Sequence, residues 1–193
     1  ILLGIDHLLF VQALLFLVRS WPRLDGTVTA FTVAHSLTLA AATLGWVHVP
    51  QAPVEAAIAL SILFVAAEVL HTGRGHPGLA ARKPWVVAFP FGLLHGLGFA
   101  GALREVGLPE PAIPLALAFF NVGVEAGQLL FIAAFFALVR AATKLLASVP
   151  IANSRGISRT TWGTTAGLAL PSAYVIGTLA SFWVIERTYG FWS

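Results

Sequence analysis

The chain has 193 residues, of which 58% are hydrophobic and only 10% are charged, and its mean hydropathy is +0.88. Soluble domains carry roughly 25% charged residues, so the composition excludes an ordinary water-soluble enzyme and points to an integral membrane protein. The net charge is +3 with 11 Lys and Arg residues, but these are dispersed over short loops and make no nucleic-acid surface.

A bilayer core about 30 Å thick asks for about 20 apolar residues per helix. Six stretches qualify, at about residues 1–18, 28–46, 54–71, 85–104, 112–139 and 163–186. The expected fold is therefore all-α, a single polytopic domain of six transmembrane helices filling 1–193. The first span opens abruptly at Ile1, without an initiator Met, as expected of a mature or partial chain. It carries Asp6 and His7 somewhat outside its centre. Pro22 and Gly26 separate it from the second span, which holds His35 near its middle. Pro50 and Pro53 precede the third, where Glu55 sits in a first turn that favours carboxylates and Glu68 lies nearer the cytoplasmic face.

Gly73 through Pro84 lead to the fourth span, with His95 at its middle. Pro90 deletes an amide donor just before His95, and a break is expected there. The fifth span follows Pro109 to Pro114 and is long enough to tilt or to run on into the cytoplasm. Asn121 and Glu125 straddle its middle and Gln128 lies one turn deeper. The polar segment Ser148–Thr161 precedes the sixth. Trp21, Trp46, Trp85, Trp162 and Trp183 fall near span ends, as an interfacial aromatic belt.

Loop charge sets the orientation. The loops after the first, third and fifth spans hold Arg19, Arg23, Arg74, Arg82, Lys83, Arg140, Lys144, Arg155 and Arg159, against Arg104 and Arg187 opposite. The three basic loops are expected in the cytoplasm and both termini in the periplasm.

An ionisable side chain at the bilayer centre costs roughly 2.5–3.5 kcal/mol and marks a function or a partner. Asp6 with His7, His35, His95 and Glu125 reach about the same depth from four helices. Asn121, Glu125 and Gln128, at i, i+4 and i+7, share one helical face. Converging, these residues would form one site of neutral imidazoles and carboxylates. Such a set suits Ni²⁺, Co²⁺, Zn²⁺ or Fe²⁺ better than Cu(I), and the chain has neither Cys nor Met to add sulfur. Gly92-x-x-x-Gly96 and Gly123-x-x-x-Gly127 are small-residue packing motifs. Gly4-x-x-His7 and Gly92-x-x-His95 stand three spans apart, as in an inverted three-helix repeat. Glu68-x-x-His71 occurs once, whereas di-iron bundles need two copies. His71 reads as the interfacial end of its helix, and Glu68 as an exit ligand or a proton acceptor. His48 and His76 are loop residues.

These same segments resemble the HupE/UreJ family of bacterial membrane proteins. The resemblance rests on Gly4-Ile-Asp6-His7-Leu-Leu-Phe, Phe31-Thr-Val-Ala-His35-Ser, Ala59 through Glu68, Phe91-Gly-Leu-Leu-His95-Gly-Leu-Gly-Phe99, and Phe120-Asn121-Val-Gly-Val-Glu125-Ala-Gly-Gln128. It runs from the first span through the fifth; the sixth span and the loop before it carry no recognisable motif. It implies a nickel or cobalt permease of the inner membrane, with Asp6, His7, His35, His95 and Glu125 handling the metal. Members usually carry a further His upstream of the Gly-x-Asp-His motif, ahead of Ile1.

The expected function is secondary transport of a divalent transition metal, Ni²⁺ or Co²⁺ foremost, with no enzymatic step. Asp6 and His7 would take the ion from the periplasm, and His35, His95 and Glu125 would hold it at midplane. Asn121 and Gln128 would fix the ligand geometry, and Glu68 would lie on the way out. No Gly-x-x-x-x-Gly-Lys-Ser/Thr motif is present, so a gradient or a separate subunit must supply the energy. Metal ligands bind deprotonated, so uptake should weaken as pH falls through the imidazole range. Two alternatives stay open: a subunit of a larger membrane complex binding metal, haem or pigment through its histidines, and an intramembrane zinc hydrolase. The lipid bilayer and the metal are the expected partners, and the sequence leaves open a homo-oligomer or association with a larger membrane complex.

Overall fold

The computed structural model describes residues 4–18, 20–105, 109–147 and 161–191. Among them there is no strand. The helices are α1 (Ile5–Leu17), α2 (Trp21–Thr43), α3 (Gln51–Gly73), the single turn α4 (Leu79–Arg82), α5 (Pro84–Glu105), α6 (Ile113–Ala147) and α7 (Thr161–Tyr189). A 3₁₀ turn at Glu110–Ala112 leads into α6. Trp162 and the segment Ser148–Thr160, together with Arg19, carry no described side chain.

The six long helices fall on the six expected stretches, and the differences have simple causes. The helix α2 begins seven residues earlier than expected because Pro22 sits in its first turn. There the missing amide would have had no partner, so the proline starts the helix instead of breaking it. No break occurs at Pro90 either. The helix α5 is continuous from Pro84 to Glu105, with Pro90 on its exposed face. The α6 helix is 35 residues long and continues past the expected end to Ala147.

Among the described residues, α3, α5, α6 and α7 are long and apolar enough to cross a membrane. The helix α2 has 23 residues but carries His35, Ser36 and a row of threonines that lower its hydropathy. Several of these face inward: Thr27 and His35 are fully buried and Thr32 nearly so. Only 13 residues of α1 are helical, about 20 Å at 1.5 Å per residue. Nearly every side chain from Phe10 to Val18 is buried, so α1 is wrapped by its neighbours and contacts little else. A helix sheltered by protein over most of its length need not match the bilayer thickness by itself.

The strongest pairings are α2 with α5 and α3 with α7. The first depends on Gly92 and Gly96. A Cβ at Gly92 would strike the Phe31 carbonyl, and one at Gly96 would strike both Thr38 Oγ1 and the His35 carbonyl. The backbones therefore lie close enough for Thr38 Oγ1 to donate to the Leu93 carbonyl at 2.8 Å. At the other glycine motif the expectation fails, since among the described residues a Cβ at Gly123 would meet nothing within 4 Å. The outward faces of α6 and α7 present Phe119, Val122, Leu130, Leu138, Phe182 and Ile185, a surface suited to lipid.

Glu68 closes the bottom of the bundle. Its Oε2 accepts the Ala80 amide at 3.0 Å, and its carboxylate occupies the space that a Cβ on Gly78 would need. The carboxylate thus caps α4 and anchors the loop between α3 and α5. Replacing Glu68 with Ala should cost about 1 kcal/mol of stability, the usual value of a lost helix cap. Metal affinity at the histidines should stay unchanged, since Ser61, the α3 residue that touches His95, lies two turns from Glu68. Thermal unfolding read beside equilibrium metal binding checks both statements.

Candidate metal site

Three histidines meet where α1, α2 and α5 come together. The His7 ring centroid lies 4.7 Å from that of His95 and 5.1 Å from that of His35. Both contacts are edge to face, with interplanar angles of 90° and 81°. His35 and His95 are completely buried, whereas His7 is half-buried. Aromatic rings surround them: Phe31 lies 5.2 Å from His95 and 5.6 Å from His7, Phe10 lies 5.3 Å from His95, and Phe99 lies 6.0 Å from His7. Phe120 stacks on His35 at 6.4 Å.

In this apolar setting the imidazole nitrogens are short of partners. His7 Nε2, both nitrogens of His35 and His95 Nδ1 are buried without a hydrogen bond. Each such orphan costs roughly 1–3 kcal/mol, so sequestering four of them together, at least one of them an N–H of His35, works against the fold unless something else uses the lone pairs.

The other nitrogen of His95, Nε2, lies 3.1 Å from Ser61 Oγ on α3. The same hydroxyl stands 2.6 Å from the Ile58 carbonyl. A carbonyl can only accept, so Ser61 donates its one proton there and must accept from His95. His95 therefore carries its proton on Nε2 and presents a bare lone pair on Nδ1, the form a metal binds. Ser61→Ala should weaken metal binding about tenfold, within the range for losing a group that orients a ligand, while leaving the helical circular dichroism unchanged.

From α6, Gln128 accepts a hydrogen bond from the Thr32 hydroxyl at 3.4 Å and keeps its own Nε2 unpartnered. Asn121 approaches His35 without a hydrogen bond of normal geometry to either ring nitrogen, and its Oδ1 is also unpartnered. A cavity of about 30 Å³ lies between α1 and α6, bounded by His7, Phe99, Phe120, Val124 and Gln128 among others. That is room for about one water or ion.

The two carboxylates expected at the site stand apart from the histidines. Asp6 Oδ2 pairs with Arg187 Nη2 of α7 at 3.0 Å. Glu125 is half-buried and does not line the cavity. At 100° per residue, Phe120, Val124, Gly127 and Gln128 centre the inward face of α6 near Val124, and Glu125 falls about 100° round from it. The structure thus brings together His7, His35, His95, Asn121 and Gln128 and leaves Asp6, Glu125 and Glu68 outside. The rings pack edge to face, and among the described residues no three His, Asp or Glu side chains stand arranged to hold a metal ion.

The HupE / UreJ protein profile matches residues 1–187, which is nearly the whole chain. The chain belongs to the HupE/UreJ family. No curated protein and no solved structure matches it. Membership in HupE/UreJ and the long apolar helices together make this a multi-pass membrane protein. The match also includes the sixth span, which showed no recognisable motif, and it ends at Arg187 in the last turn of α7. Two functional candidates escaped sequence reasoning in this HupE/UreJ chain. Ser61 is a single hydroxyl in an otherwise apolar run, and that isolation was the available signal. Arg187 read as a loop charge, although Trp183 one turn earlier marks it as part of the helix.

Proposed function

We propose that this HupE/UreJ protein is a permease that carries a divalent transition metal, Ni²⁺ or Co²⁺ foremost, across the bacterial inner membrane. One observation carries the reading: three histidines from three helices pack ring to ring with four buried nitrogens unpartnered. Neutral imidazole is a borderline ligand that suits these ions, and a desolvated cluster of lone pairs gains most when a cation enters it.

His7 is the ligand free to turn. It is the least buried of the three and lines the cavity, so rotation of its ring brings a third nitrogen toward His35 and His95. It also adjoins Asp6 at the end of the bundle where α1 begins and α7 ends. The ion would pass from that mouth to His7 and then to the buried pair, with Asn121 and Gln128 completing the polar wall. In this reading all six long helices cross the bilayer, the shielded α1 included, with both termini periplasmic and Asp6 at the outer mouth. Energy would come from a gradient or a separate subunit, and no bond is made or broken in the cargo. The pigment reading fits less well, since the touching rings leave no slot between them for a flat macrocycle.

The test is time-resolved Ni²⁺ and Co²⁺ uptake into proteoliposomes, wild type beside His7→Ala. His7 is chosen because truncating a half-buried side chain threatens the fold least. Saturable uptake that the substitution abolishes is expected. Uptake no faster than in empty liposomes would refute the permease reading.

A further inference from the structure

Arg187 is held from three directions in the last turn of α7. Its Nη2 meets Asp6 Oδ2 at 3.0 Å, its Nη1 donates to the Glu55 carbonyl at 2.9 Å, and its guanidinium lies 5.4 Å from the Trp183 ring centre. The pair with Asp6 is sheltered, the two side chains being only 20% and 24% exposed. Asp6 is the residue before His7, in the first turn of α1. A cation approaching the histidines from this end therefore meets a carboxylate already neutralised by a tethered cation.

On the basis of the permease reading, we propose that Arg187 is the specificity gate of the outer mouth, a built-in competitor that only a strongly coordinating cation displaces from Asp6. The guanidinium charge is delocalised over a planar fork and weakly hydrated, so it holds Asp6 without a metal's bond strength. A transition-metal ion that bonds directly to the carboxylate and then to imidazole outcompetes it. A hard ion such as Mg²⁺, which sheds its water reluctantly, gains too little from one carboxylate to do so. When Asp6 is taken, Arg187 keeps the Glu55 carbonyl and the Trp183 face, so its charge is not left stranded in hydrocarbon. The neutralised mouth at rest thus excludes abundant hard cations, and release of the arginine is the act of admission.

The experiment is equilibrium binding of Ni²⁺ to the purified full chain, alone and against excess Mg²⁺. Arg187→Gln should tighten Ni²⁺ about fivefold, the size expected from removing one sheltered ion pair. It should also allow Mg²⁺ to compete where the wild type resists it. The gain should vanish in Asp6→Asn/Arg187→Gln, because the competition acts at Asp6. Should Arg187→Gln not fold, Arg187→Lys reads the same competition. A single ammonium cannot reproduce the fork held by Asp6 and Glu55, so Ni²⁺ should bind about twofold tighter. Wild-type or weaker Ni²⁺ affinity in the folded variant, with Mg²⁺ still excluded, would overturn the gate and leave Arg187 as a tie between α7 and α1. Absence of Ni²⁺ binding in the wild type would instead refute the metal site itself, and the gate with it.

Discussion

His95→Ala should reduce Ni²⁺ and Co²⁺ affinity at least about a hundredfold, beyond what losing a mere orienting group costs. His95 is the best-prepared ligand in the molecule. Burial is complete, its ring is wedged between Phe10, Phe31 and His7, and Ser61 fixes the proton on the nitrogen that faces α3. A ligand held in one tautomer and one orientation loses little entropy when the metal arrives, so its removal takes away most of the site's preorganisation. Truncation also leaves a void in a tightly packed aromatic cluster, so some stability is lost as well. Isothermal titration of the detergent-solubilised variant, read beside its thermal unfolding, separates the two effects. The affinity loss should persist at temperatures where the variant is fully folded.

The second large effect is expected at a residue with no polar chemistry. Gly96→Ala places a methyl group against Thr38 Oγ1 and the His35 carbonyl. One of these is backbone and cannot rotate away, so α2 and α5 must move apart. Overpacking of this kind costs roughly 1–3 kcal/mol. The displacement falls on the two helices that carry His35 and His95, so stability and metal affinity should fall together. Gly123→Ala is the internal control. Among the described residues a Cβ there would meet nothing within 4 Å, and alanine is the better helix former by about 1 kcal/mol, so its unfolding temperature should hold or rise. Paired unfolding curves of the two variants check the contrast.

The helices were legible because a bilayer demands long apolar runs, and such runs are visible without any tertiary information. The histidines were legible for the converse reason, as polar groups where polarity is expensive. The prolines were harder to read. Pro22 opens a helix and Pro90 sits within one, because what a missing amide costs depends on whether a carbonyl was waiting for it. The rotation of α6 was hidden too. The 3.6-residue period fixes Asn121, Glu125 and Gln128 relative to one another but not to the bundle, and in the bundle Val124 and Gln128 line the cavity while Glu125 does not. Asp6 with Arg187 and Ser61 with His95 join residues 181 and 34 positions apart, and no local pattern announces such pairs. Glu68 read as an exit ligand or a proton acceptor because a carboxylate within an apolar span suggests one. Its use as a cap for α4 depends on a four-residue helix too short to leave a periodic signal.

The claim that His7, His35 and His95 form one metal site is tested most directly by X-ray absorption of Ni²⁺ bound to the purified protein, wild type beside His95→Ala. The wild type should show a nitrogen-rich shell with the outer-sphere scattering of imidazole rings, and the variant should lose one ring's share of it. An all-oxygen shell, or an imidazole signal that His95→Ala leaves unchanged, would show that the ion binds elsewhere.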